Sequence, residues 1–172
     1  MITMCYIYEY LSPIGTLYMI SDGSYLTHLQ FNTIDNPSFY VKELDPDLTV
    51  FKETKTWLDS YFSGNIPGFT PPLSLNGTAF QLEVWNILLG IPYGQTISYG
   101  DIAKQLATRR KVPRMSAQAV GNAVGKNPIP IIVPCHRVIG SDGSLTGYAG
   151  GLERKSFLLS LEKTATQNRA GI

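Results

Sequence analysis

Residues 98–125 read SYGDIAKQLATRRKVPRMSAQAVGNAVG, and this stretch sets the architecture of the second half of the chain. Ser98, with Asp101 three residues on, has the spacing of a helix start, where a side-chain oxygen accepts from a first-turn backbone N–H. Ile102, Ala103 and Leu106 then recur on one helical face. A basic loop follows (Arg109, Arg110, Lys111, Arg114), and Ser116–Val124 reads as a further helix of small residues: Ala117, Ala119, Gly121 and Ala123, then Gly125. Each glycine costs a helix about 1 kcal/mol relative to alanine. Their presence calls for a face that another backbone approaches closely, either a neighbouring helix or a nucleic-acid strand. Short helices and a small-residue helix beside a basic loop fit a helix-turn-helix or winged-helix arrangement.

Working outward, Thr78 and Gln81 stand in capping-box spacing ahead of Phe80, Val84, Trp85 and Leu88, and Ile91-Pro92-Tyr93-Gly94 ends that helix. The segment 65–76 holds Pro67, Gly68, Pro71 and Pro72 and reads as a linker. Before it, β-rich runs Cys5–Tyr10, Gly15–Ser21 and Tyr25–Phe31 are separated by Ser12-Pro13 and Asp22-Gly23, the pattern of strands joined by tight turns. A helix is expected around Val50–Phe62, with Val50, Trp57, Leu58 and Tyr61 at helical spacing and Gly64 as its stop. Downstream, Gly140-Ser141-Asp142-Gly143 is a turn signature and Gly147-Tyr148-Ala149-Gly150-Gly151 a glycine-flanked aromatic loop. A final helix near Glu153–Lys163 is expected to put Phe157, Leu158 and Leu161 on one side, while Glu162, one position beyond Leu161, reads by itself as a solvated surface charge. The expected class is α/β in the α+β sense. A small sheet-plus-helix domain (1–75) precedes a helical domain of winged-helix or helix-turn-helix character (76–172).

Composition narrows the function. The 172 residues are 44% hydrophobic and 16% charged, which is the balance of a globular protein. No apolar run has the length of a membrane span; the best, Ile129–Val133, is broken by Pro130. No basic segment followed by an apolar core marks a secretory signal. Two cysteines are too few for a disulfide framework, so a reducing cytoplasm is expected. Net charge is only +1, but it is unevenly spread. Residues 1–76 carry three lysines against eight carboxylates, a balance of −5, and the remainder eleven basic against five acidic residues, +6. Such a split suits a C-terminal half that meets a polyanion.

Ile131-Ile132-Val133-Pro134-Cys135-His136-Arg137-Val138 puts a thiol, an imidazole and a guanidinium together after an apolar run. A cysteine attacks as the thiolate, and an adjacent base and cation raise that fraction. In a regular strand Cys135 and His136 would point to opposite faces, but Pro134 argues for a turn. With two histidines and no Cys-x-x-Cys or His-Glu-x-x-His spacing, neither a metal site nor a redox dithiol is expected. The residues alone leave three readings open: a nucleophilic cysteine, a DNA-binding module in which Cys135 is core, and a hydrolase built on a Cys-His pair.

Pro134-Cys135-His136-Arg137-Val138 resembles the active-site signature of the O6-alkylguanine-DNA alkyltransferases, or methylated-DNA–protein-cysteine methyltransferases. Ile91-Pro92-Tyr93-Gly94, Ser98-Tyr99, Ala119-Val120-Gly121, Asn127-Pro128, Gly147-Tyr148-Ala149-Gly150-Gly151-Leu152 and Leu158-Leu159 extend the likeness over residues 76–163. The resemblance implies direct DNA repair without cofactor by a monomer. An alkyl group on guanine O6 in double-stranded DNA, with thymine O4 a further candidate donor, passes once to Cys135. It further implies His136 as the water-bridged base and Glu162 as the carboxylate orienting it. Asn127 becomes a hinge, and Tyr99 a proton donor to the guanine ring. Tyr148 and the Ala149 backbone become a lid, and the Val138 carbonyl a partner for the exocyclic amine. Such a protein extrudes the damaged nucleotide from the duplex and docks the small-residue helix in the minor groove, with Arg114 and Lys126 near phosphates. Two positions depart from the family pattern: Gln118 stands where an arginine commonly fills the vacated stack, and Ala149 where a serine is frequent.

Overall fold

The computed structural model describes residues 3–32, 40–43 and 45–171, and they form two compact units, Met1–Leu75 and Asn76–Ile172. In the first, strands β1 (Thr3–Ser12), β2 (Gly15–Ser21), β3 (Leu26–Gln30) and β4 (Tyr40–Glu43) make one sheet in the order β3-β2-β1-β4. The expected hairpins are present: β1 pairs antiparallel with β2 from Tyr6↔Ser21 to Ser12↔Gly15, and β2 pairs antiparallel with β3. Gly15, at φ 112°, supplies the backbone conformation that closes the first turn. β4 was not anticipated. It lies parallel to β1, so the sheet is mixed. Helix α1 (Thr49–Phe62) buries Phe51, Leu58 and Tyr61 almost completely, and Phe51 meets Tyr8 of β1 at 5.7 Å between ring centroids. The proline-rich stretch is no free tether: Leu26 N–H donates to Pro72 O and Ser74 N–H to Leu26 O, at 2.8 and 2.9 Å.

The second unit is helical. α2 (Ala79–Leu89) opens with the expected capping box, in which Thr78 Oγ1 accepts from Gln81 N and Gln81 Oε1 from Thr78 N. Gly77 is required there, because a Cβ would sit 2.6 Å from the Trp85 indole. α3 (Tyr99–Arg110) is capped by Ser98, which accepts from Asp101 N at 3.0 Å, and ends on Lys111 in the left-handed conformation. α4 (Ala117–Gly125) is capped by Ser116. Val84, Trp85, Leu88, Ile102, Leu106 and Val120 form the shared core of these three helices, and burying each such side chain is worth about 1.5–3 kcal/mol. Trp85 Nε1–H adds a bond to Ala123 O at 2.9 Å, tying α2 to α4.

Two short parallel strands, β5 (Ile97–Ser98) and β6 (Val138–Ile139), pair Ile97 with Val138 and Ser98 with Ile139. They set the start of α3, and so Tyr99, beside the chain that leaves Cys135. α5 spans Leu152–Ala170, longer than the expected Glu153–Lys163, because no helix breaker intervenes before Gly171. Its inward stripe also differs. Lys155, Leu158, Glu162 and Ala165 are buried, whereas Phe157 is exposed and Leu161 only half-buried. Polar partners, described below, turn the two charged residues inward and set the face. No helix among the described residues is long and apolar enough to cross a membrane.

Candidate active site

The chain reaches Cys135 through two tight three-residue turns. Ile131 adopts φ 74° while Ile132 N–H donates to Pro130 O at 3.0 Å, the rare strained γ-turn, here on a β-branched residue. Pro134, at φ −82° and ψ 65°, makes the common inverse form, with Cys135 N–H donating to Val133 O at 2.8 Å. Asn127 holds the segment from the side: its Nδ2 donates to Val133 O at 2.7 Å and its Oδ1 accepts from Ile129 N at 3.0 Å. Both ends of the strained turn are thereby fixed by one side chain.

Cys135–Arg137 is a single 3₁₀ turn, so successive side chains diverge by about 120° rather than lying on opposite faces as in a strand. The geometric objection to a Cys135–His136 pair is thus removed. Both residues are buried. His136 Nε2 lies 2.7 Å from Glu162 Oε1, an arrangement in which Nε2–H donates and Nδ1 is left as the basic nitrogen. Glu162 also receives Arg137 Nε and Nη2, at 2.9 and 2.8 Å, and Gly94 N–H at 3.1 Å. Although burial opposes it, this set of donors holds the Glu162 carboxyl down at about 2. Burial keeps His136 below its ordinary value despite the carboxylate. Burial also pushes the Cys135 thiol up to about 11, against the pull of the Asn127 amide and the Lys155 ammonium.

An open cavity of about 620 Å³ is lined by Tyr99, Ala117, Gln118, Gly121, Asn122, Gly125 and the 146–149 loop. It brings together four residues singled out in the sequence: Tyr99, Gln118, Tyr148 and Ala149. Tyr99 and Tyr148 both lie within the field of Cys135, and burial raises both phenols. Tyr99 OH donates to Thr146 O at 2.9 Å. The Val138 carbonyl accepts from Lys155 Nζ at 2.6 Å, and Lys155 also donates to Thr146 O. Arg114 and Lys126 are exposed at the two ends of α4, outside the cavity lining.

A Cβ on Gly121 would make only ordinary contact with Tyr99, 3.7 Å away, and one on Gly125 would meet nothing within 4 Å. Internal packing does not demand glycine at either position, and both line the open cavity. Two residues were missed in the sequence. Arg137 had been read only as a neighbouring cation, and Lys155 not at all. The i, i+3, i+7, i+10 spacing of Lys155, Leu158, Glu162 and Ala165 was the available signal. Among the described residues no three His, Cys, Asp or Glu side chains gather as a metal cage.

Residues 79–164 match the family model for the DNA-binding domain of 6-O-methylguanine DNA methyltransferase, and residues 5–75 that for its ribonuclease-like domain. A methylated-DNA–protein-cysteine methyltransferase of Haemophilus influenzae is 42% identical over 165 residues, covering 94% of this chain and 88% of the relative. A protein of the same name from Mycobacterium leprae is 49% identical over 152 residues, 88% of each. A crystal structure of Mycobacterium tuberculosis O6-methylguanine methyltransferase is similar at a TM-score of 0.80 and 44% identity, covering 94% of both chains. That of the Mycobacterium tuberculosis OGT in complex with DNA is similar at 0.78 and 43%, again over 94% of both. With both of its units matched in this way, the chain belongs to the methylated-DNA–protein-cysteine methyltransferases, proteins that repair DNA by moving an alkyl group onto a cysteine of their own.

Proposed function

We propose that this chain takes alkyl groups from guanine O6 in double-stranded DNA onto Cys135 Sγ, once per molecule. The observation that carries the reading is the buried His136–Glu162 pair at 2.7 Å, one residue from a buried cysteine that neighbours Tyr99 and Tyr148, two tyrosines that line an open cavity. Sγ forms a bond to the alkyl carbon as the carbon–O6 bond breaks, and the bonding pair leaves with the guanine. The thiol proton passes through a bridging water to His136 Nδ1, while Glu162 stabilises the imidazolium. Tyr99 gives its phenolic proton to the guanine ring and recovers one from solvent as His136 loses its own. The net movement is one proton from thiol to guanine.

The resting contacts fit these roles. Tyr99 spends its proton on Thr146 O until a base displaces that bond. The Val138 carbonyl has one lone pair on Lys155 and a second for the exocyclic amine. Asn127 positions the segment that carries Cys135, and Tyr148 with Ala149 closes over the base. The small-residue face of α4 enters the minor groove, Arg114 and Lys126 meet phosphates, and Gln118 occupies the space that the extruded nucleotide leaves. Residues 1–75 act as a separate supporting domain. Two free cysteines suit a reducing cytoplasm, and one chain carries the whole relay, which suits a monomer. Mass spectrometry after mixing with duplex containing O6-methylguanine tests the reading. One methyl is expected on the peptide holding Cys135; an unmodified peptide, or a methyl on Cys5, would overturn it.

A further inference from the structure

We infer that Arg137, clamped by the Ile91–Gly94 turn, is a positioning residue that shares the charge of Glu162 and so keeps His136 a neutral base in the resting protein. The inference rests on the proposed role of His136 and adds a partner that role does not name. The guanidinium has three attachments. Its Nε and Nη2 grip the Glu162 carboxylate, its Nη1 donates to Ile91 O at 2.7 Å, and its plane lies 5.6 Å over the Tyr93 ring. The turn reciprocates by sending Gly94 N–H to Glu162 Oε2. Only glycine fits there, since Gly94 has φ 80° and a Cβ would collide with Thr166 Oγ1. Ile91-Pro92-Tyr93-Gly94 thus has a task besides ending α2: it holds the cation that holds the carboxylate.

The consequence is electrostatic. A buried carboxylate beside an imidazole strongly favours the imidazolium, and a histidine already protonated cannot accept the thiol proton. A guanidinium on the same carboxylate offsets that attraction, because it brings a positive charge to the oxygens that face the imidazole. The charged and titratable groups facing His136 are Glu162 and Lys155 from α5, and Cys135 and Arg137 from its own turn, with Tyr93 beyond Arg137. Among them the Glu162 carboxylate draws a proton to His136, and Arg137 and Lys155 oppose it. The balance leaves burial to decide, and burial favours neutral imidazole. The bidentate fork matters as well as the charge, for it prevents the carboxylate from turning wholly towards His136.

The chain has two histidines, so a His28→Gln background leaves His136 as the single imidazole signal in an NMR titration. In that protein His136 is expected to titrate below the ordinary value of about 6.5. Arg137→Gln should raise it by at least about one pH unit, a tenfold gain in proton affinity, with Arg137→Lys between the two. The acid limb of alkyl transfer should move upward by the same amount. A His136 that titrates above the ordinary value with Arg137 intact overturns the inference, and this needs no variant to fold. So does an unmoved His136 in folded Arg137→Gln protein. A purely structural ion pair would lower stability and leave both titrations where they were. If His136 responds as expected but the protein with Arg137 intact transfers no alkyl group, the acceptor reading fails and the clamp stands.

Discussion

Replacing Asn127 with alanine removes two hydrogen bonds from a strained part of the chain, and the cost follows from the groups left behind. The bond to Val133 O is worth about 0.5–1.5 kcal/mol net, and that carbonyl keeps a second donor in Cys135 N–H. Ile129 is fully buried, so its N–H would lose its Asn127 acceptor away from water, at about 1–3 kcal/mol. Together these give about 1.5–4.5 kcal/mol. Against them stands the strain of Ile131 at φ 74°, of order 1–3 kcal/mol, part of which is released once the segment can relax. The net loss should therefore fall near 2 kcal/mol. The two tryptophans lie one in each unit, so Trp57→Phe leaves Trp85 to report unfolding of Asn76–Ile172 alone. With a urea slope of about 1–3 kcal/mol/M, the midpoint should drop by about 1 M. Asn127→Asp, which keeps the acceptor for Ile129 N but not the donor, should recover roughly half. Alkylation of Cys135 should slow further than the lost stability explains, because the relaxed segment no longer presents the thiol. A midpoint within about 0.3 M of the parent protein, with an unchanged slope, would refute the clamp.

His136→Ala and Glu162→Ala should each slow transfer by about 10²–10³-fold, and the double variant by no more than the worse single one, since they act as one relay; single-turnover rates would expose additive losses. Stability should depend on pH through Glu162, whose carboxyl is depressed to about 2 in the folded state: its contribution is complete above the unfolded value near 4.5 and is lost as pH falls towards 2. Acid titration of stability should accordingly be flatter in Glu162→Gln, and equal slopes would mean that the carboxylate gains nothing on folding. Binding to undamaged duplex should weaken steeply with salt, with a shallower slope in Arg114→Ala or Lys126→Ala; an unchanged slope would place the phosphate contacts elsewhere. Gln118→Arg should tighten duplex binding and speed transfer from duplex but not from free alkylguanine base, where there is no vacated stack to fill; equal gains on both would show that Gln118 does not sit there.

Helix starts were the most legible part of the fold. Thr78 and Ser98 cap the helices expected of them, and Ser116, read as the first residue of its helix, is its cap, because capping is a local contract between a side chain and the next three residues. The three long strands follow for a similar reason, as alternation and turn chemistry are written within ten residues. β4 was not legible: four residues joined in parallel to a strand nearly forty positions earlier leave no local mark. At the site, the motif marked Cys135 and His136, and the likeness to a family assigned Glu162, Tyr99 and Asn127. Arg137 and Lys155 escaped because a charged side chain reads as solvated until its buried partners are known. The inward face of α5 was misread on that ground: Phe157 looked like core, but the helix turns towards the carbonyls and the relay that its charges satisfy.

Burial sets the conditions under which this cysteine reacts. A thiol held near 11 is almost wholly protonated at neutral pH, and the histidine beside it is held neutral by the same desolvation. The resting pair is therefore uncharged, and a passing electrophile meets a thiol rather than a thiolate. In the proposed reaction, moving one proton from sulfur to His136 would create two opposite charges and no net charge. Lys155 stabilises the first and Glu162 the second, so the ion pair is costly yet attainable. On that proposal an alkyl carbon held in line with Sγ would consume the thiolate as it forms, making proton transfer and alkyl transfer parts of one event. A pre-ionised cysteine would react faster with everything. For a molecule that is used once, a cysteine ionised only with substrate in place preserves the thiol for the damaged base.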